Sequence, residues 1–183
     1  MQYSTEWLLA KLEQGQPVKY LFFWGHQPSK DGTITKTCLS QWWPANFTVA
    51  GLPYRSTEHW MMAEKARLFG EDDMAARILA VKSPAEAKKL GREIQNFVPE
   101  LWETHKYAIV LTGNYHKFSQ NTALSNFLLT TGDRVLVEAS PVDTIWGIGL
   151  AADSPDAANP ARWQGPNLLG FALMEVRDQL RSA

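Results

Sequence analysis

Glu58 and Lys65 are the first pair of residues in the sequence whose types and spacing could do chemistry together. They lie in the stretch YRSTEHWMMAEKARLFG, residues 54–70, which predicts an amphipathic helix with a capping serine and a glycine stop. At 100° per residue, both side chains fall on the apolar stripe that contains Met61 and Met62. An ionised carboxylate near the positive helix end and an amine two turns later would then face one space. The spacing alone equally fits Glu58 offsetting the dipole and Lys65 extending to solvent.

A second group of residues follows a predicted strand, in the loop SPVDTIWGIGL over residues 140–150. Asp143, Trp146, Gly147 and Gly149 combine an acid, an aromatic ring and two positions open to close backbone approach. Such a loop can hold a ribose or a phosphate, although an ordinary tight turn packed by Trp146 has the same pattern.

A third candidate is WQGPNLLG, residues 163–170, where Gly165 and Asn167 precede a helix whose free amides could accept a phosphate. A plain helix entry capped by Asn167 would look the same. No metal site is predicted, because the four histidines are scattered and Cys38 is the only cysteine.

Composition limits the classes of partner. The 183 residues carry 18 Lys and Arg against 19 Asp and Glu, so attraction of the whole molecule to nucleic acid or an anionic membrane is not expected. A single cysteine, a polar start and the lack of a long apolar run predict a soluble, cytoplasmic protein.

The helices and strands that must position these residues are those of a mainly helical α+β fold. Helices are expected over Ser4–Gln14, over about 84–94 from the capping box at Ser83 and Glu86, and over about 100–114, 119–130 and 167–180. Strands are expected at 19–24 and 135–139, with a short strand within 48–54 that Gly51 and Pro53 interrupt. We therefore predict a single domain over 1–183, with a small sheet, a core of about 19–181 and residues 1–18 as a helical extension.

Several motifs in order resemble the YbiA-like N-glycosidase family, also called NADAR. They are LSxxxP at 39–44, YxSxEH with AxK at 54–65, SPxxAxxxGR at 83–92, KFxQN at 117–121, LVEASxxDxIWGIG at 136–149 and GxNxLGxxLMxxR at 165–177. The chain departs from the usual pattern at Gln41 and Trp42, where the family tends to have Asn-Phe, and near Met61 and Met62, where it tends to have Gln. Both departures affect expected pocket walls and therefore substrate choice.

The resemblance implies an enzyme that hydrolyses the N-glycosidic bond between a ribose phosphate and a base. Described members act on ribosylaminopyrimidine phosphates of riboflavin biosynthesis, and relatives remove ADP-ribose from guanine. The catalytic residues implied are Glu58, Lys65 and Asp143. The substrate-binding residues implied are Trp43, His59, Trp146, Gly147, Gly149 and Asn167. The chemistry requires no metal or redox cofactor, and nucleic acid is expected only as an ADP-ribosylated substrate.

The role of Lys65 stays open at this stage among protonating the leaving base, holding a phosphate and forming a Schiff base. A rival interpretation is a non-catalytic ADP-ribose or nucleotide-binding module that has lost turnover. A third is a structural domain in which every tryptophan fills core.

Overall fold

The computed structural model describes residues 1–182, and helices dominate it. The seven α-helices among these residues are α1 (Thr5–Glu13), α2 (Thr57–Leu68), α3 (Asp72–Ala80), α4 (Pro84–Gly91), α5 (Pro99–Ser119), α6 (Thr122–Thr130) and α7 (Leu168–Ser182). The four strands are β1 (Tyr20–Phe23), β2 (Phe47–Val49), β3 (Leu52–Tyr54) and β4 (Val135–Glu138). The predicted mainly helical α+β fold with a small sheet is confirmed. The proposed limits of the domain core and of the N-terminal extension stay predictions.

The chain divides into two compact units, and the first contains residues 1–40 and 123–182. In it β1 and β4 pair in parallel, with Tyr20 opposite Val135 and Phe23 opposite Glu138. Helix α7 packs against β4, whose first three side chains are buried. This buried position explains why β4 is a continuous apolar run rather than an alternating one, whereas only Phe23 of β1 is fully buried.

The second unit contains residues 41–122 and has α2 packed against α3, α4 and α5. The strand expected within 48–54 is instead a hairpin of β2 and β3, with Phe47 opposite Tyr54. Ala50 and Gly51, the two residues of its turn, both have positive φ, at 49° and 79°. Two consecutive positive φ values match the turn twist that closes two-residue hairpins, so Gly51 joins two strands rather than breaking one.

The amphipathic character predicted for α2 is wrong, although the helix itself and its Ser56 cap are confirmed. The Ser56 side chain accepts a hydrogen bond from the backbone N–H of His59. Seven consecutive residues, 57–63, are buried, so the helix has no solvent face over its first two turns. Three other helices cover this part of α2. The pattern of one apolar stripe in the sequence predicts burial on one side only and could not indicate burial on all sides.

The other helices follow the local signals with shifted ends. Ser83 and Glu86 form the predicted capping box, but α4 ends at Gly91 instead of continuing to Ile94. The predictions missed α3, whose N-cap residue makes no side-chain capping bond. Helix α5 continues to Ser119, the residue predicted to begin α6.

Within residues 1–182, no helix has both the length and the apolar character that crossing a membrane requires.

Candidate active site

The start of α2 is held from outside the helix by the backbone carbonyl of Gln41. This oxygen accepts hydrogen bonds from the Glu58 backbone N–H, at 3.0 Å, and from the Thr57 hydroxyl, at 3.1 Å. The Glu58 side chain is only 2% exposed and lies in the first turn of the helix. Free amides and the helix dipole in this turn favour the ionised carboxylate. Burial opposes ionisation in turn, so the structure gives Glu58 a nearly dry carboxyl group on a backbone that Gln41 holds in place.

A buried pair of amide side chains supports the Gln41 backbone. The Asn114 Nδ2 donates to Gln41 Oε1 at 3.1 Å and to the Val110 carbonyl at 2.9 Å. The Gln41 Nε2 lies 3.4 Å from the Met61 sulfur. Gln41 thus links α2 to α5. This structural role was not predicted from the sequence, where Gln41 was noted only as a departure from the family pattern.

Lys65 is half-buried at the opposite end of α2. Its Nζ donates a hydrogen bond to the Gly91 carbonyl at 2.9 Å and lies 4.5 Å from the Phe97 ring centroid and 5.7 Å from that of Trp102. Burial, and then the nearby charge of Arg92, lower the pKa of the Lys65 amine. The structure therefore provides the partly desolvated amine that a nucleophilic role needs, and it also gives that amine firm structural contacts.

His59 is engaged by the protein at both ring nitrogens. Its Nδ1 lies 2.8 Å from the Ser56 hydroxyl, and its Nε2 lies 3.3 Å from the Val81 carbonyl. Only a protonated Nε2 can donate to that carbonyl. Burial lowers the pKa of the ring and therefore favours its neutral form. The substrate-binding role predicted for His59 stays a prediction, and its observed contacts are structural.

The two adjacent tryptophans differ in accessibility. Trp43, predicted to stack on the substrate, is only 6% exposed and belongs to the buried residues of the second unit. Trp42 is partly exposed, with the Lys88 amine 5.7 Å from its ring centroid. Of the two rings, Trp42 presents the more accessible aromatic face.

Lys117, for which no role was predicted, lies on α5 without exposed surface. Its amine lies 5.0 Å from the Phe118 ring centroid. Burying a charge is costly, so such residues are concentrated at functional sites. The only signal in the sequence was its place in the KFxQN motif.

The loop after β4, in the first unit, is organised by Asp143. Its Oδ1 accepts from the backbone N–H groups of Ile145, at 2.9 Å, and Trp146, at 2.8 Å. This is a local turn stabilised by an Asp side chain. One oxygen of the predicted catalytic carboxylate therefore fixes the loop, and its role toward a substrate stays a prediction.

The glycines of this loop are required by protein packing. A Cβ on Gly147 would lie 2.7 Å from the Glu138 carbonyl oxygen, and one on Gly149, where φ is +68°, would lie 2.8 Å from Gln164 Cβ. Gly165 is equally constrained, since its Cβ would lie 2.4 Å from the Gly147 carbonyl oxygen. The close approach expected at these glycines is made by another part of the protein, the segment that contains Gln164 and Gly165. A ligand contact at Gly147 or Gly149 stays a prediction.

Asn167 precedes α7 but bonds to β4. Its Oδ1 accepts from the Glu138 backbone N–H at 3.0 Å, and its Nδ2 donates to the Leu136 carbonyl at 2.9 Å. The side chain thus makes hydrogen bonds to the backbone of β4 instead of capping α7 as expected. Its substrate-binding role stays a prediction without a supporting contact.

Replacing Asn167 by Ala should lower the free energy of unfolding by about 2–4 kcal/mol, because one buried and one partly buried backbone group of β4 lose their partners. Urea denaturation measures this change. Unchanged stability combined with weaker substrate binding would contradict the structural role.

Trp146 is partly exposed beside the Asp143 turn, and the substrate-stacking role expected for it stays a prediction. Replacement by Ala should weaken substrate binding by roughly 1–3 kcal/mol, and replacement by Phe by less, since part of the stacking surface remains. Titration calorimetry measures both. If both variants bound substrate equally well and both lost stability, Trp146 would be a core residue rather than a binding residue.

Glu58, Lys65, His59 and Trp43 thus lie in the second unit, and the structure links Glu58 to Gln41 and Asn114 there. The remaining predicted residues, Asp143, Trp146, Gly147, Gly149 and Asn167, lie in the first unit. Within that unit they gather where β4 ends and α7 begins.

The structure thus combines a mainly helical α+β fold with a buried carboxyl group and a partly desolvated amine on one helix. The NADAR domain model matches residues 22–181, and the chain belongs to this family. The chain is 43% identical over 166 residues to N-glycosidase R617 of Acanthamoeba polyphaga mimivirus, covering 88% of this chain and 96% of that protein. It is 31% identical to N-glycosidase YbiA of Escherichia coli, covering 75% of this chain and 76% of YbiA.

Two further comparisons concern a longer relative and a solved structure. The chain is 33% identical to a Vibrio vulnificus protein named riboflavin biosynthesis protein VVA0006, of which it spans only 35%. The solution NMR structure of E. coli YbiA superposes with a TM-score of 0.68 at 27% identity, covering 90% of this chain and 86% of YbiA. The expected enzyme class, an N-glycosidase, agrees with the names of the relatives.

Proposed function

We propose that this NADAR-family N-glycosidase hydrolyses ribose-phosphate N-glycosides, with ribosylaminopyrimidine phosphates of riboflavin biosynthesis as its substrates. The observation that carries the proposal is the buried Glu58 carboxylate, fixed at the start of α2 by the Gln41 carbonyl. Relatives named N-glycosidases and riboflavin biosynthesis proteins support the reaction type and the substrate.

Glu58 is the group suited to the charge that develops on the sugar. As the C1–N bond of a riboside weakens, positive charge accumulates at C1 and the ring oxygen. A preorganised carboxylate in a nearly dry site stabilises that charge strongly. The same carboxylate can accept a proton from the attacking water.

Lys65 is the group suited to a covalent route, in which the sugar ring opens first and the positive charge that Glu58 would stabilise is that of the imine at C1. A ribosylamine opens to an imine between C1 and the base nitrogen, and the neutral Lys65 amine can add to C1. The base then leaves as a free amine when its C1–N bond breaks, and water hydrolyses the lysine imine to release ribose phosphate. The lowered pKa of Lys65 increases the neutral fraction that this step requires.

Competition between two substrates tests the substrate assignment. Liquid chromatography with mass spectrometry would follow a ribosylaminopyrimidine phosphate and an ADP-ribosylated guanine nucleoside in one mixture. We expect release of the aminopyrimidine at a kcat/KM at least about tenfold higher. A preference for the ADP-ribosyl substrate would reassign the substrate while keeping the reaction type.

A further inference from the structure

The segment 82–93 has an excess of positive charge in a chain whose net charge is −1. Its cationic side chains are Lys82, Lys88, Lys89 and Arg92. Its two carboxylates are engaged elsewhere: Glu86 accepts from the Ser83 backbone N–H and hydroxyl in the capping box, and Glu93 lies 3.6 Å from Arg77. The segment therefore carries cations that its own carboxylates do not neutralise.

Lys88 and Arg92 share one face of this segment. Arg92 is the C-cap residue of α4 with helical backbone angles, so the i, i+4 spacing places the two side chains as neighbours. No ion pair of Lys88 or Arg92 is observed within residues 1–182. Two adjacent, unneutralised cations form a local field suited to an anion.

Both cations are linked to the proposed catalytic residues. Arg92 follows Gly91, whose carbonyl accepts from the Lys65 amine, and its charge contributes to the lowered pKa of that amine. The Lys88 amine lies over the partly exposed Trp42 ring. Trp42 in turn follows Gln41, the residue that anchors Glu58.

We propose that Lys88 and Arg92 form a phosphoryl-binding subsite, bordered by Trp42, for the phosphate of the ribosyl substrate. Arg offers a planar fork of donors that matches phosphate geometry, and Lys adds a mobile point charge. The proposal rests on the proposed function, because it concerns the same substrate, but it is tested by binding alone. A ribose monophosphate and the diphosphate of ADP-ribose both present anionic phosphoryl oxygens, the group that this subsite would bind.

Titration calorimetry with the full chain and ribose, ribose 5-phosphate or ADP-ribose tests the subsite. We expect ribose 5-phosphate to bind more tightly than ribose. Lys88→Gln and Arg92→Gln should each weaken its binding about tenfold, the loss of one charge-assisted contact, while ribose binding is unchanged. Lys89→Gln removes the same charge from the exposed neighbouring position and should have no such effect.

Equal binding of ribose and ribose 5-phosphate by the unmodified chain would overturn the subsite. Equal weakening by Lys89→Gln and Lys88→Gln would also overturn it, since the effect would be general charge rather than contact. Tighter binding of ADP-ribose, lost in both variants, would support the subsite and identify a diphosphate as the preferred ligand. Phosphate-dependent binding without hydrolysis of any riboside would refute the proposed function and leave the subsite standing.

Discussion

Replacing Glu58 by Gln should reduce turnover by a factor on the order of 100 or more and leave the fold intact. Gln keeps the size of the side chain and its capacity for hydrogen bonding. The Gln41 carbonyl bonds to the backbone at this position, which the substitution does not alter. Only the negative charge that would stabilise the developing charge at C1 is lost. Steady-state kinetics and a thermal melt of the same preparation separate the two effects.

Glu64→Gln is the matched control, because it removes a carboxylate from the same helix. Glu64 is partly exposed and pairs with Arg67 three residues later, so its loss should change stability slightly and turnover little. Near-normal turnover in Glu58→Gln would remove Glu58 from the mechanism. A collapse of the melting temperature in that variant would favour a structural role.

Replacing Lys65 by Arg should abolish both turnover and covalent trapping. The amine of Lys65 is partly desolvated between a carbonyl and two aromatic rings, whereas a guanidinium stays charged and cannot attack C1. Borohydride added during turnover should reduce the lysine imine in the unmodified chain, and a peptide map should place the adduct on Lys65. Substantial activity in Lys65→Arg, with no adduct in the unmodified chain, would contradict the Schiff-base step.

The pH dependence of the same reaction provides a second check on Lys65. Its folded-state pKa lies below the ordinary lysine value, so the reactive neutral form appears at lower pH than for a solvent-exposed lysine. The rate should therefore rise with pH through that lowered pKa and then level off. Arg92→Gln removes a neighbouring positive charge and should move this rise to higher pH.

The elements that local signals specify were predictable from the sequence. The Ser83 and Glu86 capping box fixes the start of α4, and apolar runs mark β1 and β4. The bounds of α4 and α5 were less accurate, because where a helix ends depends on the packing of its last turn. The all-round burial of α2 depends on three other helices, which no single stretch encodes.

The candidate site shows the same division between local and distant contacts. The Asp143 turn is local, and its residue types indicated an ordered loop. Gln41 and Asn114 are distant in sequence, so their hydrogen bond could not be predicted from spacing. The sequence indicated close backbone approach at Gly147, where the structure places the Glu138 carbonyl and Gly165; a ligand contact there stays a prediction.

The most direct test of the account is the stoichiometry of products from a single ribosylaminopyrimidine phosphate, measured by mass spectrometry with the unmodified chain and with Glu58→Gln. We predict free aminopyrimidine and ribose phosphate in equal amounts from the unmodified chain, and at least about 100-fold slower release from the variant. Intact substrate after prolonged incubation with the unmodified chain, or equal rates for the two proteins, would contradict the account.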